Sequence, residues 1–511
     1  MSINKTNLAL VEEAYNADTS DPTIVRSREG GSRVRDRKKA RFDREPIPEL
    51  TQQVLSSATT PTVLRPLGSL EEFLWLIDQN RPVHFALAAQ VQGPATVARW
   101  RDALDLVQLR HPLLSVCIET DGNCRPHFRR KTAARIPLRV VRENNVAQRW
   151  ESEIELELSI PFNARQAPLV RAVLLHEADQ AVFILVAHHS IADGVSIAFV
   201  IRDVLQALSR NPIGLLPLLP AHEEILGVTR SDVAQVKPSK ESNSPPPGRP
   251  AAYLRKEDLR PRIKALSLTP QLTGKLRERA RQEGTTVHGA LSSAAALAYW
   301  QNNPELKEES VRICSPTDTR KLLGLGEDCA VLINSRVVAI EPRASTAFWD
   351  IARQATAGLA GARTLKGIIP SRRALHRIVK NGIDVPTAAA VCAHAFAHEI
   401  RLSNLGNLPY GSEFGELKLQ ALWGPSVSAR FEGALNIGVA TTNGALCLLE
   451  TKVDSSASLL ETAEQLLLSA CTRGLDLSFI ARCSTVRPFN GTETRRRSES
   501  VVRVGFNHRQ Y

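Results

Sequence analysis

The sequence has no uninterrupted apolar run near 20 residues, so a membrane-spanning helix is not expected. Its opening, MSINKTNLALVEEAYNADTSD, lacks the apolar core of an export signal, and the expected address is cytoplasmic. The eight cysteines, at 117, 124, 314, 329, 392, 447, 471 and 483, form no CxxC pair and no cluster of zinc-finger spacing. Thiols scattered in this way read as buried small hydrophobes, without a disulfide framework or a metal site. No GxxxxGK[ST] phosphate loop occurs; Gly324-Leu325-Gly326 is the nearest glycine-rich stretch. No repeat of 20–50 residues is visible.

What is present is an ordinary globular composition. The 511 residues are 43% apolar and 23% charged, enough for a large core and roughly two to four domains. The net charge of +12 is concentrated in part at the ends. Arg26 to Arg44 holds nine Lys/Arg against three acids, and Ser484 to Tyr511 six Arg against two. Such runs can release counterions from nucleic-acid phosphates, but no nucleic-acid-binding motif accompanies them. They read as solvated tails, and no nucleic-acid partner is expected.

Residues 1–60 are polar, basic and poorly periodic, and read as a disordered tail. A first lobe is expected over 61–230. It opens with a helix capped by Ser69, with Glu71 and Glu72 in its first turn and Phe73, Leu74, Leu76 and Ile77 buried. Strands are predicted at His84 to Val91, Leu113 to Glu119, Ile136 to Val141 and Leu169 to Leu175, and helices at Ala95 to Arg110 and Gln148 to Leu158. A Pro/Ser-rich linker, 231–255, leads to a second lobe over 256–485, and a basic tail, 486–511, follows. In the second lobe, strands are predicted at Ile263 to Leu268, Val311 to Cys314, Ala330 to Ile340, Leu417 to Leu422, Leu435 to Thr441 and Leu446 to Lys452. Helices are predicted at Pro270 to Glu283, from a Thr285-Thr286 cap to Trp300, at Thr346 to Arg363 and at Ser458 to Arg473.

The sharpest signal is Ala181 to Ala187, seven apolar residues rich in β-branched and aromatic types, suited to a strand covered on both faces. It delivers His188 and His189 to its C-terminal end, where alternation sends them to opposite faces. Ser190-Ile191-Ala192-Asp193-Gly194 then leads into an amphipathic helix. Histidine titrates near neutrality, so one of the pair can serve a cleft as a base, with Asp193 close by and Gly194 permitting close approach. A second His pair, His394 and His398 beside Glu399, has i, i+4 spacing, but its order is not HExxH and no third ligand is obvious; no metal is expected.

HHSIADG resembles the HHxxxDG signature of the CoA-dependent acyltransferases, which include chloramphenicol acetyltransferase, condensation domains, alcohol acetyltransferases and polyketide-associated acyltransferases. RPLGSLEEFLWL, LRHPLL, TTVHGALSSAAALA, SPTDTRKLLG with CAVLINSR, and LSNLGNL follow the family's other motifs in order, over roughly residues 62–485. The plant branch's DFGWG motif is absent, so the likeness is to the bacterial or condensation-like branch. The resemblance implies an α/β fold of two similar chloramphenicol-acetyltransferase-like lobes, each a mixed sheet with helices, around a central tunnel. It implies His189 as general base in acyl transfer from a thioester to a hydroxyl or amine. His188 and Gly194 support the loop, and Asp193 turns from the cleft to pair with an arginine, Arg320 or else Arg336. Asn334 and Ser403 fall in later motifs as candidate oxyanion or substrate contacts. No covalent cofactor is implied; acyl-CoA or a phosphopantetheinyl carrier protein is the co-substrate. The alternatives are a free-standing condensation domain joining two carrier-bound substrates and a non-catalytic carrier-binding relative.

Overall fold

In chain order the strands of the computed structural model are β1 Thr62–Pro66, β2 Phe85–Gln92, β3 Val116–Thr120, β4 Pro126–Arg130, β5 Leu138–Val141, β6 Val170–His176, β7 Gln180–Ala187, β8 Arg262–Leu268, β9 Val311–Asp318, β10 Ile333–Ile340, β11 Ile400–Asn407, β12 Glu413–Phe414, β13 Leu417–Val427, β14 Leu435–Thr442 and β15 Ala445–Lys452. Residues 62–141, 146–228, 261–341, 347–428, 431, 433–453 and 456–472 are described. The expected tails, 1–60 and 486–511, and the linker, 231–255, lie outside them.

Two open six-stranded sheets organise the chain, with order β12-β13-β2-β7-β6-β5 in the first and β10-β9-β11-β14-β15-β8 in the second. A smaller antiparallel sheet, β1-β4-β3, flanks the first. The apolar run Ala181 to Ala187 is the centre of the first sheet, and its alternation explains why every position is apolar. Phe183, Leu185 and Ala187 face the helices Val97–Arg110 and Gly194–Leu208. Val182, Ile184 and Val186 face Trp150, Ile154 and Leu158 of the helix Val146–Ser159, together with Leu449 of β15. Full burial of a Phe, Val or Leu side chain stabilises by about 1.5–3 kcal/mol, so this strand anchors the histidine loop firmly.

The strand expected in the second lobe at Leu417 to Leu422 belongs elsewhere. As β13 it pairs antiparallel with β2 of the first sheet, Leu419 opposite Val91 and Trp423 opposite Ala88. It is braced against β14 by Asn436 Nδ2 donating to Pro425 O at 3.0 Å and by Leu422 N donating to the Thr442 hydroxyl at 3.2 Å. At Gly438 a Cβ would lie 2.2 Å from Pro425 O, so only glycine lets the two backbones approach this closely. The two halves are thus interlocked by an exchanged strand. An alternating pattern shows which face of a strand is buried but not which sheet the strand joins.

Two helices of more than ten residues escaped the sequence pattern, Leu365–Lys380 and Val385–Ala395. Pro370 interrupts the first and removes one donor, yet the helix continues because Ile378 and Val379 pack with Phe73, Leu74 and Ile77 of the entry helix Ser69–Asn80. In that entry helix Gly68, not Ser69, is the N-cap. The Glu71 carboxylate accepts the Gly68 N–H at 2.6 Å. The Ser69 hydroxyl instead donates to Glu223 Oε1 at 2.9 Å in a buried cluster, with His376 Nδ1 2.7 Å away.

Candidate functional site

The turn after β7 separates the two histidines as strand alternation requires. His188 is fully buried. Its Nδ1 accepts the Ser190 N–H at 3.1 Å, which leaves the ring proton on Nε2, 3.3 Å from Asp78 Oδ2 on the entry helix. Burial pushes the Asp78 carboxyl up, but His188 and the Val83 N–H outweigh it and the pKa is lowered. The Ser190 hydroxyl donates to Glu71 O at 3.0 Å, so the loop is tied to that helix twice.

His189 turns the other way, into a cleft of about 480 Å³ between the halves. Its Nδ1 lies 3.0 Å from Ala192 O. A carbonyl only accepts, so Nδ1 carries the proton and Nε2 is the basic nitrogen of a ring that lines the cleft. The Phe85 ring packs against the imidazole, centroids 4.8 Å apart, and fixes its plane.

Asp193 caps the helix Gly194–Leu208: its Oδ1 accepts the Ser196 N–H at 2.8 Å. Its Oδ2 accepts from Arg320 Nη1 at 2.9 Å and from Leu332 N at 2.8 Å. Arg320 also reaches Asp318 Oδ1 at 2.7 Å and the Ser196 hydroxyl at 2.7 Å. Both partners are buried. Burial raises the Asp193 carboxyl, but the Arg320 charge and the hydrogen bonds lower it by more, so it stays ionised below the usual carboxylate range. Between the two arginines weighed from the sequence, the observed partner is Arg320; Arg336 lies on β10, paired opposite Ser315. Asp318, which lines the cleft, moves the opposite way: burial and then Asp193 raise it against the pull of Arg320.

Gly194 lines the cleft, and a Cβ there would stand 3.0 Å from both Leu405 Cδ2 and Pro425 Cγ. Ser403 lines it too, on β11, which runs parallel to both β9 and β14. Asn334 does not. Ile333 takes the cleft face of β10, alternation turns Asn334 away, and its Oδ1 accepts from the Ser371 hydroxyl at 3.2 Å. The pair His394 and His398 is not on one helical face, because the helix ends at Ala395; Glu399 pairs with Arg312 at 2.5 Å. Among the described residues no group of His, Cys, Asp and Glu could hold a metal. The seven described cysteines are free thiols, and Cys483 lies outside the described residues.

Asp78, Phe85, Asp318 and Glu327 also belong to the site, and no sequence pattern marks them. Asp318 was the nearest to discovery, standing two residues before Arg320 in SPTDTR. Glu327 closes a cross-lobe cluster: Asp203 accepts from Arg110 Nε at 2.7 Å and from His111 Nε2 at 2.9 Å, and Arg110 and Arg202 both reach Glu327. The LRHPLL stretch therefore ties the cleft-lining segment Leu325-Gly326-Glu327 to the first lobe. A second cavity of about 580 Å³ shares Pro316, Asp318, Lys321, Asn404 and Leu405 with the first. No helix among the described residues is long and apolar enough to cross a membrane.

Comparison with known proteins gives two family-model matches, in order along the chain. Residues 74–217 match the condensation domain, and residues 257–412 match the phthiocerol/phthiodiolone dimycocerosyl transferase C-terminus. A linear gramicidin synthase of Brevibacillus parabrevis is 26% identical over 167 residues, 30% of this chain and 2% of that protein. Phosphinothricin tripeptide synthetase PhsC of Streptomyces viridochromogenes is 26% identical over 320 residues, 57% of this chain and 28% of that protein. The chain thus spans only a small part of these relatives. Among solved structures, the first condensation domain of the CDA synthetase aligns with a TM-score of 0.58 at 15% identity, over 82% of this chain and 98% of that one. Polyketide synthase associated protein 5 from Mycobacterium tuberculosis aligns with a TM-score of 0.54 at 16% identity, over 81% and 98%. The fold is that of the condensation domains, two chloramphenicol-acetyltransferase-like lobes.

Proposed function

For this chain of the CoA-dependent acyltransferase superfamily, we propose an acyltransferase that moves an acyl group from a thioester to a hydroxyl or amine, with His189 as general base. The observation that carries this reading is the Nδ1 contact to Ala192 O at 3.0 Å, which presents Nε2 of a cleft-lining ring as proton acceptor. In the proposed reaction Nε2 takes the proton of the acceptor O–H or N–H as that atom bonds to the thioester carbonyl carbon. The tetrahedral species collapses, the C–S bond breaks, and the imidazolium returns its proton to the departing thiolate. Donor and acceptor held together gain rate from orientation, so no acyl-enzyme is invoked.

The other loop residues act through His189. Asp193 and Arg320 fix the turn, His188 fastens it to the entry helix, and Gly194 leaves room for substrate. Ser403 is the proposed contact for the developing oxyanion or the substrate; Asn334 is not retained, since it lies outside the cleft. The co-substrate is an acyl-CoA or a phosphopantetheinyl carrier protein.

A second reading, a free-standing condensation domain joining two carrier-bound substrates, is favoured by the second cavity, which shares a wall with the cleft. An intact-mass screen tests both. Acyl-CoA and acyl-carrier donors are combined with alcohol, amine and carrier-bound acceptors. A new ester or amide on a small acceptor supports the first reading, and product on a carrier-bound acceptor alone supports the second. No acyl transfer from any donor contradicts both.

A further inference from the structure

Where the two cavities share a wall, one guanidinium serves two carboxylates. Arg320 Nη1 donates to Asp193 Oδ2 at 2.9 Å and to Asp318 Oδ1 at 2.7 Å. One positive charge set between two negative ones leaves the trio with a negative charge in excess. Asp193 is enclosed, and its other oxygen is taken by the Ser196 N–H. Asp318 is the member that meets solvent: its side chain is 33% exposed and lines both cavities.

Oδ1 of Asp318 carries the ties to Arg320, from Nη1 and, at 3.4 Å, from the backbone N–H. Among the described residues Oδ2 has no hydrogen-bond donor and the carboxylate no second cation. Lys321, the next residue and a lining residue of both cavities, forms no ion pair with it. Burial and Asp193 push the Asp318 carboxyl up, a strain that a further donor at Oδ2 would relieve.

Acyl transfer supplies such a donor with one class of acceptor. An attacking alcohol carries one proton, and His189 Nε2 takes it, so nothing remains for a second acceptor atom on the wall. The neutral nitrogen of a secondary amine is in the same position. That of a primary amine carries two protons, one for His189 and one to rest on Asp318 Oδ2. A carboxylate also attracts the ammonium form in which such an acceptor arrives.

We propose that Asp318 sets the acceptor class: it accepts the second N–H of a primary amine while His189 removes the first, and the product is a secondary amide. The inference rests on the acyltransferase reading and narrows its acceptor from hydroxyl or amine to primary amine. The ammonium releases one proton to solvent on binding. As the nitrogen bonds to the thioester carbonyl carbon, a second proton passes to His189 Nε2. The C–S bond then breaks and the imidazolium protonates the thiolate. The N–H held by Asp318 is the one that remains in the amide, so Asp318 binds and transfers no proton.

The test uses the full chain, its Asp318→Asn variant and octanoyl-CoA as donor. Three acceptors of one chain length are compared: octylamine, N-methyloctylamine and 1-octanol. Asparagine keeps an oxygen toward Arg320 and sets an N–H2 where Oδ2 stood, a donor facing a donor. Thiol release gives kcat/KM, calorimetry gives acceptor affinity, and the melting temperature checks the fold. The unaltered chain is expected to favour octylamine over both other acceptors by about tenfold or more, less than a site sealed from water would give. Asp318→Asn is expected to erase that preference, cutting octylamine about tenfold further than the other two, chiefly through KM. Equal losses on all three acceptors would make Asp318 a mere support of Arg320 and overturn the proposal. So would no preference in the unaltered chain, or a variant that keeps it. If the variant does not fold, primary against secondary amine in the unaltered chain decides. Octylamine binding that the variant weakens selectively, with no acceptor turned over, leaves the Asp318 site standing and removes the acyltransferase reading; neither turnover nor selective binding removes both.

Discussion

Arg320 Nη1 meets Asp193 Oδ2 at 2.9 Å across 127 residues of sequence, both side chains almost wholly out of water. The pair joins the end of the histidine turn in one lobe to the segment after β9 in the other. A charge left without its partner in such surroundings costs about 3–5 kcal/mol. Asp193→Asn and Arg320→Gln should therefore each lower the unfolding midpoint and the turnover together. A double-mutant cycle should show a coupling energy of about 1–3 kcal/mol. Additive effects would remove the pair from the account of the loop.

Acid should act on a second buried cluster. Burial raises the Glu223 carboxyl, but the neighbouring His376 ring and the hydrogen bond from the Ser69 N–H outweigh it and bring it from 4.5 to about 2. A carboxylate depressed in the folded state contributes stability that is complete above its unfolded pKa and lost as pH falls through the folded value. The window here runs from about pH 4.5 down to pH 2. Glu223→Gln should destabilise the protein at pH 7 and flatten the loss of stability across that window. An unchanged slope in urea titrations from pH 5 to 2.5 would contradict it.

His188→Ala should cost stability more than chemistry, because its ring bridges the Ser190 backbone and Asp78 in a site closed to solvent. A loss of about 1–3 kcal/mol in denaturant unfolding is expected, with the folded fraction retaining most of its turnover. A stable variant without turnover would place His188 in the reaction.

Gly194→Val tests the width of the cleft. Leu405 and Pro425 already stand where the first added carbon would make contacts of 3.0 Å, so a branched side chain must project into substrate space. The variant should stay folded, by circular dichroism and melting temperature, and lose activity most on bulky acceptors. Undiminished activity on all acceptors would show that no substrate passes this point.

Much of this architecture was legible because particular residues leave little choice. The run Ala181 to Ala187, short, uniformly apolar and rich in β-branched types, suits a strand covered on both faces, and Asp193-Gly194 ahead of an amphipathic run marks a helix start. The tie of Asp193 to the other lobe narrowed to two arginines because the resemblance called for one there; sequence had no means of choosing, whereas the fold turns Arg320 inward. Other features left no local trace. Asp78 is one polar residue on an amphipathic helix, and its tie to His188 exists only once helix and sheet pack. β13 reads correctly as a strand, but its partner β2 lies in the opposite half of the chain. Leu365–Lys380 was hidden by Pro370 and by a basic composition that only the acids of the first lobe balance. Asn334 sits in a motif but one position away from the face that mattered, the case in which a period of two decides a residue's role.

The central claim is that His189 moves the proton, and turnover of purified His189→Ala on an acyl thioester that the unaltered protein accepts tests it most directly. With the fold intact by circular dichroism, the account predicts a fall in kcat of about two to four orders of magnitude. Turnover near that of the unaltered protein would contradict it.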